Sequence, residues 1–207
     1  MKNITTDSEP QLVLASTSPF RRELLTRLGL PFITASPDID ETVHAGEKPQ
    51  DLVKRLAEEK ARAAATDYPQ ALIIGSDQVA TLGDMILGKP GNHARAGEQL
   101  ALASGKKVTF YTGLCLLNSA TDRCQIHCEP FNVYFRPLTE TTIEHYLRRE
   151  QPYNCAGSFK SEGLGIVLFE KLQGDDPNAL IGLPLIRLVS MLMDEDMDPL
   201  STSLIEA

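Results

Sequence analysis

No stretch of this sequence approaches the roughly 20 consecutive apolar residues of a membrane-spanning helix. Cysteine is sparse: Cys115, Cys124, Cys128 and Cys155 contain no C-x-x-C pair of the kind that builds a zinc site. A chain of 207 residues buries enough core to need no disulfide staples. Cys124, His127 and Cys128 lie close together, yet no further ligands stand at suitable spacing, and alternating strand positions are the favoured reading. The G-x-x-x-x-G-K-[ST] phosphate loop is missing. Basic residues are in deficit, 20 against 28 acidic ones, for a formal net charge of -8. That argues against a broad nucleic-acid-binding surface, while a few cations converging in one cleft can still dominate a small anion's field. Repeats and low-complexity linkers are missing as well. The polar, acidic stretch Met1 to Pro10 lacks the apolar core of a secretory signal. The expectation is therefore a cytoplasmic protein with tails over 1–10 and 198–207 and one domain over 11–197.

What is present has a globular balance, 42% hydrophobic and 23% charged. Gln11 to Ala15 reads as a short buried strand. Ser18 followed by Pro19 opens a helix, which Gly29 stops after about Leu28. Phe32 to Ala35 is a second strand, and Ser36 to Lys48 is polar and turn-rich. Leu52, Val53, Leu56, Ala63 and Ala64 mark one face of a helix over about 49–67. Leu72 to Ile74 is a compact strand leading into Gly75-Ser76-Asp77-Gln78, with a hairpin turn at Gly83-Asp84. A helix over about 92–103 follows, then β-rich segments at 107–117 and 125–135. Thr139 opens a helix to about Arg149, Gly165 to Phe169 suggests a strand, and Pro184 to Met193 a closing helix. The alternation predicts one α/β unit built on a mixed sheet.

Four segments hold side chains fit for chemistry. Ser16-Thr17-Ser18-Pro19-Phe20-Arg21-Arg22 is a strand-to-helix turn, and a helix N-terminus binds anions. Its two arginines oppose the helix dipole; a bound anion explains them, and so does pairing with Glu23 or an acidic loop. Asp77 follows an apolar strand, where a carboxylate either caps a turn or holds Mg²⁺ and orients water. Lys89, between Gly88 and Pro90, is either a fixed point charge for phosphate or part of a plain turn. The loop Asp38-Ile39-Asp40-Glu41 and Lys60 supply carboxylates and a cation that are otherwise solvated. The glycine-rich run Gly157 to Gly165, carrying Glu162, approaches a flat ligand closely or merely connects.

In order, LASTSPFRRELL, DET, ALIIGSDQV, GKP, FYTG, AGSFKSEGLG and GLPL resemble the Maf family of nucleotide pyrophosphatases over about Leu12 to Leu192. The resemblance implies an α/β fold whose mixed central sheet spans two lobes with a cleft between them, often as a homodimer. It implies hydrolysis of a nucleoside triphosphate between its α- and β-phosphates. It makes Asp77 the general base and a metal-linked carboxylate, and puts Ser16, Arg21, Lys60 and Lys89 on the triphosphate. Glu41 would join Asp77 on a divalent cation, Mg²⁺ or Mn²⁺. One subgroup of the family carries A-D-T and Q-G and acts on dTTP and UTP. Ser76-Asp77-Gln78 and Phe159-Lys160-Ser161-Glu162-Gly163 depart from it and resemble the subgroup preferring 7-methyl-GTP. The chemistry agrees, because a methylated guanine is a cationic ring with N–H donors. Glu162 can accept those bonds, Phe20 can stack with a cation–π gain of about 1–2 kcal/mol, and Gln78 can add a neutral contact.

The expected function is removal of 7-methyl-GTP from the nucleotide pool, with no nucleic acid or membrane as partner. The alternatives are a dTTP/UTP pyrophosphatase or a nucleotide-binding regulator of cell division with little turnover. Asp77 separates enzyme from regulator. Asp77→Ala is expected to abolish pyrophosphate release while circular dichroism and nucleotide binding persist; a variant that still releases pyrophosphate removes Asp77 from the chemistry.

Overall fold

The computed structural model describes residues 10–201, so of the tails expected over 1–10 and 198–207, residues 1–9 and 202–207 lie outside the described residues. The apolar runs form one seven-stranded mixed sheet. Its strands are β1 (Gln11–Ala15), β2 (Phe32–Ala35), β3 (Ala71–Leu82), β4 (Met85–Leu87), β5 (Lys107–Asn118), β6 (Arg123–Phe135) and β7 (Phe169–Gln173). The order is β2-β1-β3-β5-β6-β7, with β4 beside the far end of β3. β2, β1 and β3 run parallel; β4, β5, β6 and β7 pair antiparallel. The helices among the described residues are α1 (Pro19–Thr26), α2 (Pro49–Ala65), α3 (His93–Ala103), α4 (Glu140–Glu150), α5 (Pro177–Ile181) and α6 (Leu185–Met193). None of them is long and apolar enough to cross a membrane.

Side chains alternate along β3 and so divide the first half of the molecule into two layers. Ile73 packs with Ala57, Ala61 and Val13 under α2. Leu72 and Ile74 pack on the opposite face with Leu24, Leu25, Leu185 and Leu188 of α1 and α6. A second lobe forms where β3, β5 and β6 continue past the end of β1. Its core joins Phe110, Phe131, Val133 and Phe135 to Leu100 of α3 and to Ile143 and Leu147 of α4. Phe159 stacks edge-on with Phe110, Phe135 and Phe169 there, at ring separations of 5.3, 5.6 and 4.7 Å. Both lobes therefore hang on the same three long strands.

Three expectations need correction. The strand read over Leu72 to Ile74 is a twelve-residue strand that runs through Asp77 to Leu82, so Asp77 is an interior strand residue and no turn cap. Its polar residues face neighbours that hold them, which offsets the break in hydrophobic pattern. The strand expected at Gly165 to Phe169 is a 3-10 turn over Leu164–Leu168, and extended pairing starts at Phe169. A Cβ at Gly165 would fall 2.2 Å from the Lys160 carbonyl oxygen, so the chain folds back on itself there and cannot pair with a strand. Finally, α5 was not foreseen, although Asp176 caps it through the Asn178 N–H at 2.8 Å and Pro177 fills its first turn.

Two glycines decide how closely α2 meets the sheet. A Cβ on Gly75 would lie 2.0 Å from the Ala57 carbonyl oxygen, and one on Gly113 the same 2.0 Å from that of Val53. Gly113 is the β5 residue paired directly with Asp77, so this contact sets the depth of α2 over the cleft. Gly113→Ala must push the helix backbone outward, at a cost of about 1–3 kcal/mol of overpacking. A fall in the urea midpoint at constant slope reads that cost; an unchanged midpoint removes the close approach as a constraint.

Candidate active site

On its outer edge β3 pairs with β1 as far as Gly75 and with β4 from Ala80 onward. Residues 76–79 have β5 on one side and no strand on the other among the described residues. A cleft of about 800 Å³ opens over this gap. In α/β sheets ligands collect where parallel strands end, and β1 ends here, delivering Ser16 and the start of α1 to the same place.

Ser18 caps α1, its hydroxyl accepting from the Arg21 N–H at 3.4 Å. The Ser16 hydroxyl is buried and accepts from the Ser18 N–H at 3.2 Å and the Arg21 guanidinium at 3.4 Å. Arg21 also donates through Nε to the Gly182 carbonyl at 2.9 Å, which fixes its fork at the cleft. Burial pulls the Arg21 guanidinium down from its ordinary value, and the charges of Asp77 and Glu41 pull it back up. Phe20, half-buried, also lines the cleft, while Arg22 is exposed and does not.

Lys60 occupies the centre. It falls on the inward stripe of α2, four residues after Leu56 and one turn before Ala64, where the helix otherwise buries apolar side chains. Its ammonium bonds Asp77 Oδ1 at 2.7 Å and Glu41 Oε1 at 2.7 Å. Lys60 and Asp77 are each only 8% exposed, so the pair is withdrawn from water and must satisfy itself. The hydrogen bond from Lys60 holds the Glu41 carboxyl below its ordinary value.

Lys89 stands on the loop after β4. Gly88 and Gly91 anchor that loop, the first accepting from Gln99 at 3.1 Å and the second donating to the Tyr153 carbonyl at 2.9 Å. Lys89 carries no ion pair among the described residues, yet its charge reaches Glu41. Gln78 points to the opposite sheet face from Asp77. Its amide nitrogen donates to the carbonyls of Ala179 at 2.8 Å and Leu180 at 3.2 Å, and to Thr112 Oγ1 at 3.0 Å. That nitrogen is spent inside the protein, so Gln78 can offer a ligand only its carbonyl oxygen. Glu162 is exposed at the rim and accepts from the Ser161 hydroxyl at 3.2 Å. The segment around it is pinned on both sides, since Lys160 pairs with Glu150 at 3.2 Å and Glu150 accepts the Leu164 N–H at 2.7 Å. Cys155 also lines the cleft, but burial pushes its thiol up to about 11, which leaves it protonated and a poor nucleophile at neutral pH.

The nine residues to which the resemblance gives roles line one cleft, Ser16, Phe20, Arg21, Glu41, Lys60, Asp77, Gln78, Lys89 and Glu162, whereas Arg22, Asp38 and Asp40 are not among its lining. Sequence reasoning missed the supports behind them. The Gly182 carbonyl takes both Arg21 and the Ser76 hydroxyl, the latter at 2.9 Å. Thr112 and the end of α5 hold Gln78. The Asp176-Pro177 pair signals α5, but nothing local shows that its carbonyls turn toward β3. Cys124, His127 and Cys128 are ordinary residues of β6 with no metal cluster among the described residues; His127 bonds Glu129 at 3.0 Å.

The family profile described as Maf-like protein matches residues 11–195. A relative from Nitrosococcus oceani is 61% identical over 190 residues, covering 92% of this chain and 96% of its own. Relatives from Pseudomonas syringae pv. tomato and Pseudomonas aeruginosa are 62% and 59% identical, over 90% and 91% of this chain and 97% and 98% of theirs. Each of the three bears the name 7-methyl-GTP pyrophosphatase.

The Lys60 contact has a pH signature. A carboxyl depressed in the folded state adds stability that is complete above its unfolded value and is lost as pH falls through the folded one. Glu41 should therefore titrate below 4.5 in an NMR titration and move upward in Lys60→Met. An unmoved Glu41 in that variant would show that Lys60 is not the cause.

Proposed function

The chain belongs to the Maf family, and from that premise we propose that it hydrolyses 7-methyl-GTP to 7-methyl-GMP and pyrophosphate. The observation that carries the reading is the convergence of Arg21, Lys60 and Lys89 with two carboxylates, Asp77 and Glu41, over the gap in β3. Three cations and the α1 N-terminus make a seat for a triphosphate. Ser16 adds a hydroxyl beside Arg21.

The lysine at the centre faces a change of partners. Without ligand its ammonium is shared by Asp77 and Glu41. Phosphate oxygens compete for the same ammonium, and a lysine that turns to them leaves Asp77 free to accept a proton from water. That water attacks the α-phosphorus, the bond to the α–β bridging oxygen breaks, and the electron pair leaves with pyrophosphate. Arg21 and Lys89, which line the same cleft, take up the charge that builds on the departing oxygens in this reading.

The oxygen donors suit a divalent cation. Mg²⁺ commonly binds through about one or two carboxylates plus substrate phosphates, and Glu41 and Asp77 both converge on one point within reach of Lys60. We assign those two residues to hold Mg²⁺ or Mn²⁺, which when bound polarises the phosphate oxygens and neutralises their charge.

For the base, Phe20 supplies an aromatic face, Glu162 a carboxylate for the N–H donors and positive ring of 7-methylguanine, and Gln78 a carbonyl oxygen. Relatives of about 60% identity bearing the 7-methyl-GTP pyrophosphatase name support this substrate over dTTP or UTP. Four free cysteines suit the reducing cytoplasm, where the nucleotide pool also lies. The proposal extends to a homodimer, for which Ile186 and Met193 on one side of α6, 60% and 54% exposed, offer an apolar surface.

Pyrophosphate release with Mg²⁺ tests the reading. 7-Methyl-GTP should exceed GTP and UTP at least tenfold in kcat/KM, and Glu162→Gln should cut that preference while leaving UTP turnover in place. Rapid UTP turnover with no preference for the methylated purine would overturn the substrate assignment.

A further inference from the structure

Glu41 reaches Lys60 from the segment 36–48, which contains neither helix nor strand and is exposed throughout Asp40 to Gly46. An acidic side chain carried on such a loop holds its aim only if the backbone is tied down, because free rotation of each residue otherwise disperses it. The tie comes from α2. Arg55 grips Glu47 through both oxygens, Nε to Oε1 at 2.7 Å and a terminal nitrogen to Oε2 at 2.8 Å. The same terminal nitrogen donates to the Thr42 carbonyl at 3.1 Å, one residue beyond Glu41. The other terminal nitrogen bonds Glu59 at 3.1 Å, which anchors the guanidinium to its own helix. Within the loop, Glu47 Oε2 accepts the His44 N–H at 3.0 Å and Asp40 accepts the Thr42 N–H at 2.9 Å.

This is an uncommon surface ion pair. The side chains of Arg55 and Glu47 are only 20% and 10% exposed, and the fork geometry is bidentate, the case in which an ion pair gives direction as well as energy. Arg55 holds the Glu47 carboxyl at about 2, so the clamp stays charged through the neutral range. Its grip spans Thr42 to Glu47, while Lys60, on the same helix, holds Glu41. Helix α2 therefore presents two cations to one loop, the first gripping its backbone and the second its functional carboxylate.

We propose that Arg55, through Glu47 and the Thr42 carbonyl, is a positioning residue that keeps the Glu41 carboxylate in the cleft. Its effect on turnover rests on the pyrophosphatase reading above. Its effect on the loop does not.

The test compares wild type with Arg55→Met, Arg55→Lys and Glu47→Gln, and with Arg62→Met as control. Arg62 lies on the same helix and pairs with Glu58 and Asp122; it borders the loop but makes no ion pair to it among the described residues. The first readout is the ¹⁵N{¹H} NOE of residues 40–47. Arg55→Met is expected to lower it across the loop, Arg55→Lys and Glu47→Gln less so, and Arg62→Met not at all. The second is steady-state turnover of 7-methyl-GTP. Arg55→Met should lower kcat at least tenfold and raise the Mg²⁺ needed for half-maximal rate, with nucleotide KM moving less than threefold. Arg55→Lys should recover part of the loss. A loop equally ordered in Arg55→Met overturns the proposal, as does a loosened loop with unchanged kcat. A wild-type protein that releases no pyrophosphate sinks the pyrophosphatase reading instead, and the NOE arm still decides the clamp.

Discussion

An ammonium removed from water and held between two carboxylates sets the terms for the rest of this molecule. Stripping Lys60 and Asp77 of solvent is expensive, and only close contact repays it. Both contacts to Lys60 are 2.7 Å, which requires α2 to lie hard against the sheet. Gly75 and Gly113 permit that approach, since any side chain there meets the helix backbone. The alanines at 57, 61 and 64 complete the thin layer between helix and strands. A bulkier layer would lift Lys60 away from Asp77 and leave two buried charges apart.

The architecture of the sheet supplies the space. β1 stops at Ala15 while β3 continues, so one strand edge is bare for four residues at the place where a helix begins. The bare edge gives access to Asp77, and the helix start brings Ser16 and Arg21. Beyond the gap, β4 and its following loop bring Lys89 back across. Because β3, β5 and β6 pass beneath both lobes, the cleft walls share one floor.

The same economy appears in the supporting contacts. Gly182 serves Arg21 and Ser76 from one carbonyl, and α5 serves Gln78 and Thr112 from its last turn. Asp176 starts α5 and also accepts the Ile186 N–H at 2.7 Å, joining it to α6. A short helix outside the cleft chemistry therefore fixes the side of the cleft opposite α2.

Much of this was legible in the residues. Pro19 after Ser18, Asn92 before His93 and Thr139 before Glu140 each announced a helix start, because caps and fixed proline φ angles act over three or four residues. The paired β5 and β6 were legible from their β-rich runs around a turn. The site residues were recognisable as a succession of segments resembling one family, while each segment alone admitted a bland reading. The extent of β3 was not legible, because Ser76, Asp77 and Gln78 interrupt an apolar pattern and find their partners only across the fold. The turn at Leu164–Leu168 looks like a strand in the sequence, because Ile166, Val167 and Leu168 favour extension locally, while in the fold Gly165 packs against Lys160. The family, the α/β class and the side chains that could serve chemistry follow from local pattern and residue type alone. That Lys60 joins Asp77 to Glu41, that Gln78 has spent its amide nitrogen, and that Arg55 grips the loop all depend on the packing of the fold. Those are contacts between segments far apart in the chain, settled by how closely α2 can approach the sheet.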